Sequence, residues 1–345
     1  MLTLKYRKLK NSMEKIILLG ATGSIGQQTL QVVKKHVGKF EVIGLSTNKN
    51  VELLNKQIRE FKPKYVCVGD KNLAAKVKFD GTIYVGAAGL TKMLKKNSTV
   101  VNALSGMVGI SPSLQTIKQG NKLLVANKES MVIEGKKLKN KIIPIDSELT
   151  SLHYLLSKYK AEKIYITCSG GPFWDKKLSE LKNVTQKQAL KHPKWDMGIK
   201  NSLDSATLIN KGLELIAATK LFGKEPGVFI DPEVRAHAVI KAVDKKYYAV
   251  LAIKHDMKIH IEYALLYSEK KLKDAAIKLP EFNFIAASKT KLPGIKIARA
   301  ALKSGEKKIK KLCELNEEAM DLFLAKKIPF LGIYSYIKDH LKIKL

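Results

Sequence analysis

Two carboxylates, Asp146 and Glu148, stand in Pro144-Ile-Asp-Ser-Glu148 at the end of an apolar run. In an extended backbone residues i and i+2 point to one side, which predicts that both acids are presented together. Like charges held close repel, and a bound cation or a proton offsets that repulsion. Hard oxygen ligands suit Mg²⁺ or Mn²⁺; two solvated acids at a strand end are the plain alternative. A third carboxylate comes from Ser202-Leu-Asp-Ser-Ala-Thr-Leu-Ile-Asn-Lys-Gly-Leu-Glu-Leu-Ile216. Asp204 or Ser205 is a good helix N-cap, and the pattern predicts one helix from Asp204 to Phe222. On it Thr207, Asn210, Lys211 and Glu214 share a face through i+3 and i+4 spacing, while Ile209, Leu213 and Ile216 form the packing stripe. The hydroxyl, amide and ammonium suit a phosphate, and Glu214 suits a metal. An ordinary surface ion pair between Lys211 and Glu214 fits the spacing as well.

A second kind of chemistry is written in Gly20-Ala-Thr-Gly23-Ser-Ile-Gly26, which follows an apolar run and opens a helix. Glycines at a strand-to-helix turn let the backbone approach a pyrophosphate, and the helix N-terminus favours its charge. A tight turn with no ligand would use the same residues. The next apolar run ends in Ser46-Thr-Asn-Lys-Asn50. NAD sites usually carry an acid there for the ribose hydroxyls. None is present, and Ser46, Thr47, Asn48 and Lys49 suit a 2′-phosphate, which favours NADP(H).

These groups need a scaffold. Residues 14–145 alternate short apolar runs, from Lys15–Leu19 to Ile142–Ile145, with helix-like segments such as Ile25–Val37 and Val51–Phe61. That rhythm predicts a Rossmann-like, doubly wound parallel sheet with ligands at the carboxyl ends of its strands. From Asp146 the rhythm changes. Strand candidates Lys163–Thr167, Gly227–Ile230 and Tyr247–Ile253 predict a smaller α+β domain, and Lys296–Lys303, Lys307–Lys327 and Leu331–Lys342 predict helices. The expected organisation is an extension at 1–13, a nucleotide domain at 14–146 and an α+β domain at 147–279. A linker at 280–295 and a short helical domain at 296–345 follow.

The formal charge of +32 raises a nucleic-acid partner. The excess is nearly all lysine spread along the chain, with arginine only at 7, 59, 235 and 299, so a solvated surface is the simpler reading. Cys67, Cys168 and Cys313 are far apart and suit neither a disulfide framework nor a zinc site. No apolar run approaches the roughly 20 residues of a membrane span. No secretory apolar region precedes the first strand, so cytoplasm is the expected location.

Taken in order, GATGSIG at 20–26, ANKES at 126–130, PIDSE at 144–148, SGGPF at 169–173, HPKWDMG at 192–198 and SLDSATLINKGLELI at 202–216 resemble the motif set of the 1-deoxy-D-xylulose 5-phosphate reductoisomerases. The resemblance spans roughly residues 14 to 335. It implies a nucleotide domain, a catalytic domain and a C-terminal helical domain. It also implies rearrangement and NADPH-dependent reduction of that sugar phosphate to 2-C-methyl-D-erythritol 4-phosphate with Mg²⁺ or Mn²⁺.

The resemblance places Thr22, Gly23, Ser24 and Ile25 on the cofactor phosphates, and Asn48, Lys49 and Asn50 near the ribose phosphate. Asn127, Glu129 and Gly198 also contact NADPH. Asp146, Glu148 and Glu214 ligate the metal. Lys128 relays a proton or orients substrate, and Ser147 contacts substrate. Ser169, Ser205, Asn210 and Lys211 hold the substrate phosphate, with His192 beside it. Trp195 and Met197 close over the substrate from a flap within Ser169–Gly198. A homodimer is implied, with no nucleic-acid or membrane partner.

Departures from the family pattern stand at Leu149, where a histidine usually follows the metal-binding glutamate, and at Asp231-Pro232 in place of His-Pro. Asp256-Met-Lys-Ile-His260 and a shortened C-terminal domain are further ones. Two other readings remain: a semialdehyde-type dehydrogenase with Cys168 as nucleophile, and a basic nucleotide- or nucleic-acid-binding protein without catalysis.

Overall fold

The computed structural model describes residues 13–191, 198–252, 255–267 and 283–343. The chain divides into two units, one of Met1–Asp146 with Asp256–Asp274 and one of Ser147–His255 with Ala275–Leu345.

The first unit is a seven-stranded parallel sheet in the order β4-β3-β2-β1-β5-β6-β7. Its strands are β1 (Glu14–Leu19), β2 (Phe40–Thr47), β3 (Tyr65–Val68), β4 (Thr82–Val85), β5 (Thr99–Asn102), β6 (Lys122–Val125) and β7 (Ile142–Pro144). Helices α1 (Ser24–Lys35), α2 (Val51–Phe61), α3 (Gly86–Lys92), α4 (Ile110–Lys118) and α5 (Lys128–Leu138) connect them. Parallel strands covered on both faces read as continuous apolar runs, and Ile16 to Leu19 are fully buried. The strand order reverses between β2 and β5 on either side of β1, and the glycine loop leaves β1 at that switch point. A helix at Met257–Leu265 joins this unit. Glu262 on it pairs with His36 Nε2 at 2.9 Å and Lys35 Nζ at 3.0 Å, and Lys122 Nζ donates to the Leu265 carbonyl.

In the second unit, α6 (Ser147–Lys158), β8 (Ala161–Cys168), α7 (Gln186–Ala189), α8 (Ile199–Ala206), α9 (Ile209–Phe222), β9 (Gly227–Ile230), β10 (Ala236–Ala242) and β11 (Tyr247–Leu251) follow one another. The chain then supplies the Met257–Leu265 helix, α10, to the first unit and returns as β12 (Ile285–Ala286), α11 (Gly294–Ser304), α12 (Glu306–Leu324) and α13 (Gly332–Leu341). The sheet order is β11-β10-β8-β9-β12, parallel only between β8 and β9. Phe330, fully buried, makes edge contacts with Phe173, Phe323 and Tyr334. Gly212 of α9 meets α11 so closely that a Cβ there would lie 2.5 Å from Ala298 Cβ.

The single helix expected from Asp204 to Phe222 is instead two. Leu208 takes a left-handed conformation, φ +56°, between α8 and α9. The cause is tertiary: a Cβ on Gly294 would lie 2.2 Å from the Thr207 carbonyl oxygen, so α11 packs directly on the break. Asp204 is therefore a buried residue inside α8 rather than a cap, and the Thr207 hydroxyl bonds back to Leu203 and Asp204 carbonyls. Glu148 likewise lies in the first turn of a helix, not in extended chain. Strand β10 has no counterpart among the sequence expectations.

Candidate active site

In the first unit the glycine loop is held by the end of β2. The Gly20 amide donates to Ser46 Oγ at 2.9 Å, the Ala21 amide to the Ser46 carbonyl at 2.7 Å, and the Thr22 and Thr47 hydroxyls share a 2.6 Å hydrogen bond. A Cβ on Gly26 would lie 2.2 Å from the Gly20 carbonyl oxygen. The loop can therefore turn this tightly only with glycine there. From α2, Gln57 Nε2 holds the Ala21 carbonyl at 2.9 Å. Helix α1 starts after Gly23 with no side-chain cap, so its first-turn amides at Ser24 and Ile25 remain available to an anion. That fits a dinucleotide pyrophosphate.

Ser46 and Thr47 are buried and engaged with the loop, which corrects their assignment to a ribose phosphate. Asn48, Lys49 and Asn50 are exposed, and Asn50 also caps α2, its Oδ1 accepting from the Leu53 amide at 3.1 Å. Lys49 supplies the positive charge at this strand end.

Further along the unit, Asn127 caps α5. Its Oδ1 accepts from the Ser130 amide at 2.8 Å, and its Nδ2 donates to the Leu104 and Gly106 carbonyls and to Glu129 Oε2. The first turn of α5 thereby carries Lys128, whose Nζ lies 3.0 Å from Asp146 Oδ2.

Asp146 ends the first unit and is joined through Ser147 to Glu148. Ser147 Oγ donates to Glu148 Oε2 at 2.5 Å. Asp146, Glu148 and Glu214, all buried, each offer one carboxylate oxygen, and the three oxygens lie within 4.8 Å of one another. Lys211 pairs with Glu148 Oε1 at 2.9 Å and with Glu214, and Asn210 Nδ2 donates to Glu214 Oε1. Lys211 is 3% exposed and Glu214 1%, so this is no surface ion pair. Buried carboxylates must be paired or bind a cation. An all-oxygen donor set of this kind fits Mg²⁺ or Mn²⁺.

Ser169 follows β8 and is buried; its Oγ accepts from the Gly171 amide at 3.2 Å. Gly171 has φ +69°, and a Cβ there would lie 2.6 Å from the Ser205 carbonyl oxygen. Ser169 and Ser205 thus come from adjoining segments. Helix α9 brings Asn210, Lys211 and Glu214 to one end of itself, as expected, but leaves Thr207 outside the helix. Gly198 is exposed at the start of α8. His192, Trp195 and Met197 lie outside the described residues.

Leu149 is fully buried on α6, and His153, one turn later, has its pKa lowered to about 4 by burial. Asp231 is fully buried and braces a turn, its Oδ2 accepting from the Arg235 amide at 2.6 Å. His237 on β10 is lowered to about 3, first by burial and then by the charges of Lys211 and His255. Cys168 is raised to about 11, chiefly by burial. Burial thus disfavours the thiolate that a semialdehyde-type dehydrogenase would need. Sequence reasoning missed the buried pair of Asp204 and Asn316, whose Nδ2 donates to Asp204 Oδ1 at 2.7 Å. No local spacing links residues so far apart.

Known proteins resemble this chain along most of its length. Residues 16–135 match the family model for 1-deoxy-D-xylulose 5-phosphate reductoisomerase, and residues 142–222 its C-terminal domain. Residues 253–344 match the DXP reductoisomerase C-terminal domain. The chain is 38% identical over 343 residues to 1-deoxy-D-xylulose 5-phosphate reductoisomerase of Aquifex aeolicus, covering 95% of this chain and 90% of the relative. The enzyme of Clostridium perfringens is 38% identical over 356 residues, covering 95% and 92%.

Two solved structures superpose across the chain. A crystal structure of DOX-P reductoisomerase with NADPH, fosmidomycin and magnesium gives a TM-score of 0.87 at 32% identity, covering 95% of this chain and 89% of that one. The Zymomonas mobilis 1-deoxy-D-xylulose 5-phosphate reductoisomerase with NADPH gives 0.84 at 29%, covering 96% and 92%. This chain belongs to the 1-deoxy-D-xylulose 5-phosphate reductoisomerase family.

Proposed function

We infer that this chain converts 1-deoxy-D-xylulose 5-phosphate to 2-C-methyl-D-erythritol 4-phosphate in the non-mevalonate route to isoprenoids, using NADPH and a divalent metal. The observation that carries the reading is the set of three buried carboxylates with oxygens within 4.8 Å of one another, Lys211 reaching Glu148 and Glu214. Solved relatives hold NADPH, and one holds NADPH, fosmidomycin and magnesium together. When bound, NADPH supplies the hydride and the cation supplies Lewis-acid stabilisation of negative charge on the substrate oxygens.

The roles of individual residues form part of the proposal. Asp146, Glu148 and Glu214 hold the metal. Lys128, kept beside Asp146 by its 3.0 Å contact, offers a proton or a fixed positive charge next to the reacting oxygens. Ser147, on the first turn of α6, contacts the substrate. Ser169, Ser205, Asn210 and Lys211 grip the phosphate with two hydroxyls, an amide and an ammonium, and His192 stands beside them. Trp195 and Met197 exclude water as the substrate is covered. Thr22, Gly23, Ser24 and Ile25 receive the NADPH phosphates at the uncapped start of α1. Asn48, Lys49 and Asn50 receive the ribose phosphate, with Asn127, Glu129 and Gly198 as further contacts. We also propose a homodimer located in the cytoplasm.

One assay tests the whole reading. Purified protein with NADPH, Mg²⁺ or Mn²⁺ and 1-deoxy-D-xylulose 5-phosphate is expected to lose nicotinamide absorbance only when metal and substrate are both present. Folded protein that shows no metal-dependent oxidation would overturn it.

A further inference from the structure

We propose that Asn316 of α12 and Tyr334 of α13 are positioning residues that set the conformation of the phosphate-gripping segment Ser205–Lys211. The inference rests on the substrate assignment above and goes beyond it, since neither side chain belongs to the proposed gripping set. Ser205 lies at the end of α8, and Asn210 and Lys211 open α9. Between them Leu208 sits in a left-handed conformation that a leucine does not adopt unaided. Such a residue persists only where surrounding contacts over-determine it.

Those contacts come from far along the chain. Asn316 Nδ2 donates to Asp204 Oδ1 at 2.7 Å, with both residues at most 2% exposed. Tyr334 Oη donates to the Thr207 carbonyl at 3.2 Å, and that tyrosine is buried. One hydrogen bond therefore holds the residue before Ser205, and another holds the residue before Leu208. The Thr207 hydroxyl ties the two points together through its bond to the Asp204 carbonyl at 3.1 Å. The carboxylate of Asp204 is otherwise met by Lys200, whose Nζ is 3.4 Å from Oδ2.

Packing alone does not account for the choice of asparagine. Its Oδ1 is buried with no hydrogen-bond partner among the described residues. The amide is thus spent on a single acceptor, Asp204, and carries an unsatisfied carbonyl to do so. A phosphate gripped by a hydroxyl, an amide and an ammonium from both sides of a backbone break is sensitive to displacements well below the length of a hydrogen bond. Fixing the break from the C-terminal helices keeps those donors convergent before substrate arrives.

Steady-state kinetics on the full chain with NADPH and Mg²⁺, together with NADPH affinity from fluorescence titration, test the proposal. Asn316→Asp sets one carboxylate against another. The KM for 1-deoxy-D-xylulose 5-phosphate should rise about tenfold, with NADPH affinity unchanged. The exchange Asp204→Asn with Asn316→Asp restores a donor–acceptor pair with the roles reversed, and KM should return to within about threefold of the parent chain. Tyr334→Phe keeps the ring and should raise KM about threefold.

A purely structural role would lower the melting temperature and leave KM unmoved, which would overturn the proposal. So would an exchange variant that folds but keeps the high KM. Should Asn316→Asp fail to fold, the exchange variant and Tyr334→Phe decide on the same KM comparison. A parent chain without turnover would instead overturn the function proposed above, and this inference with it.

Discussion

The two units build their binding residues in different ways. In the first, the residues proposed to face the nucleotide follow directly from strand ends. The glycine loop leaves β1, the polar cluster leaves β2, and Asn127 to Glu129 leave β6. Each is held by neighbours in the same unit, such as Ser46 of β2 on Gly20 and Gln57 of α2 on Ala21. In the second unit Ser205 on one side and Asn210, Lys211 and Glu214 on the other straddle a helix break on which α11 packs and to which Asn316 of α12 and Tyr334 of α13 are hydrogen-bonded. A strand end is defined by backbone pairing, which local pattern announces. A helix break imposed by distant packing has no local announcement, and Leu208 even argues against it by propensity.

The largest effect that should separate the units is at Glu214. Glu214→Gln is expected to lower kcat by about 100-fold or more, the scale on which lost charge stabilisation acts. It should also weaken metal activation while NADPH affinity stays at its parent value. Turnover unchanged in that variant would remove Glu214 from the metal set.

The mirror experiment lies in the first unit. A Cβ at Gly26 must collide with the Gly20 carbonyl oxygen, so Gly26→Ala should weaken NADPH binding about tenfold, ~1.4 kcal/mol. Metal activation should hold. If both variants damaged both functions equally, the contrast between the units would not stand.

Phe330→Ala probes the support supplied by the C-terminal helices. Removing a fully buried ring that meets Phe173, Phe323 and Tyr334 should destabilise by about 3–5 kcal/mol, read from urea unfolding. The same variant should raise KM for the sugar phosphate more than it changes NADPH affinity. An unchanged KM in protein that remains folded would detach the aromatic cluster from the phosphate segment.

The smallest effect concerns pH. Burial holds His237 at about 3 and His153 at about 4, both below the usual value of 6.5. Both histidines lie in the second unit. The unfolded chain takes up these protons first, so stability is greatest above pH 6.5 and falls as pH drops from 6.5 toward 4. Denaturant midpoints at pH 7.5 and pH 5 should show that fall, and His153→Gln should make it shallower. A slope unaffected by His153→Gln would assign the acid sensitivity to other groups.

Residue types, their order and their periodicity were enough for several conclusions about this protein. Continuous apolar runs such as Ile16–Leu19 announced buried parallel strands, the glycine spacing announced the turn after β1, and Asp146, Glu148 and Glu214 stood out as candidate metal ligands beside the plainer readings of solvated acids and an ion pair. Those signals are local because they arise from backbone geometry and from side-chain chemistry at short separation. Tertiary structure decided what depends on groups meeting across long stretches of chain. It took Ser46 and Thr47 from the surface and used them to brace the glycine loop. It put Glu148 on a helix, broke the Asp204–Phe222 helix at Leu208, and buried Lys211 between two glutamates. It also joined Asp204 to Asn316. Each of these outcomes is settled by packing and by the need to satisfy buried polar groups, and those conditions are set only when the whole chain has folded.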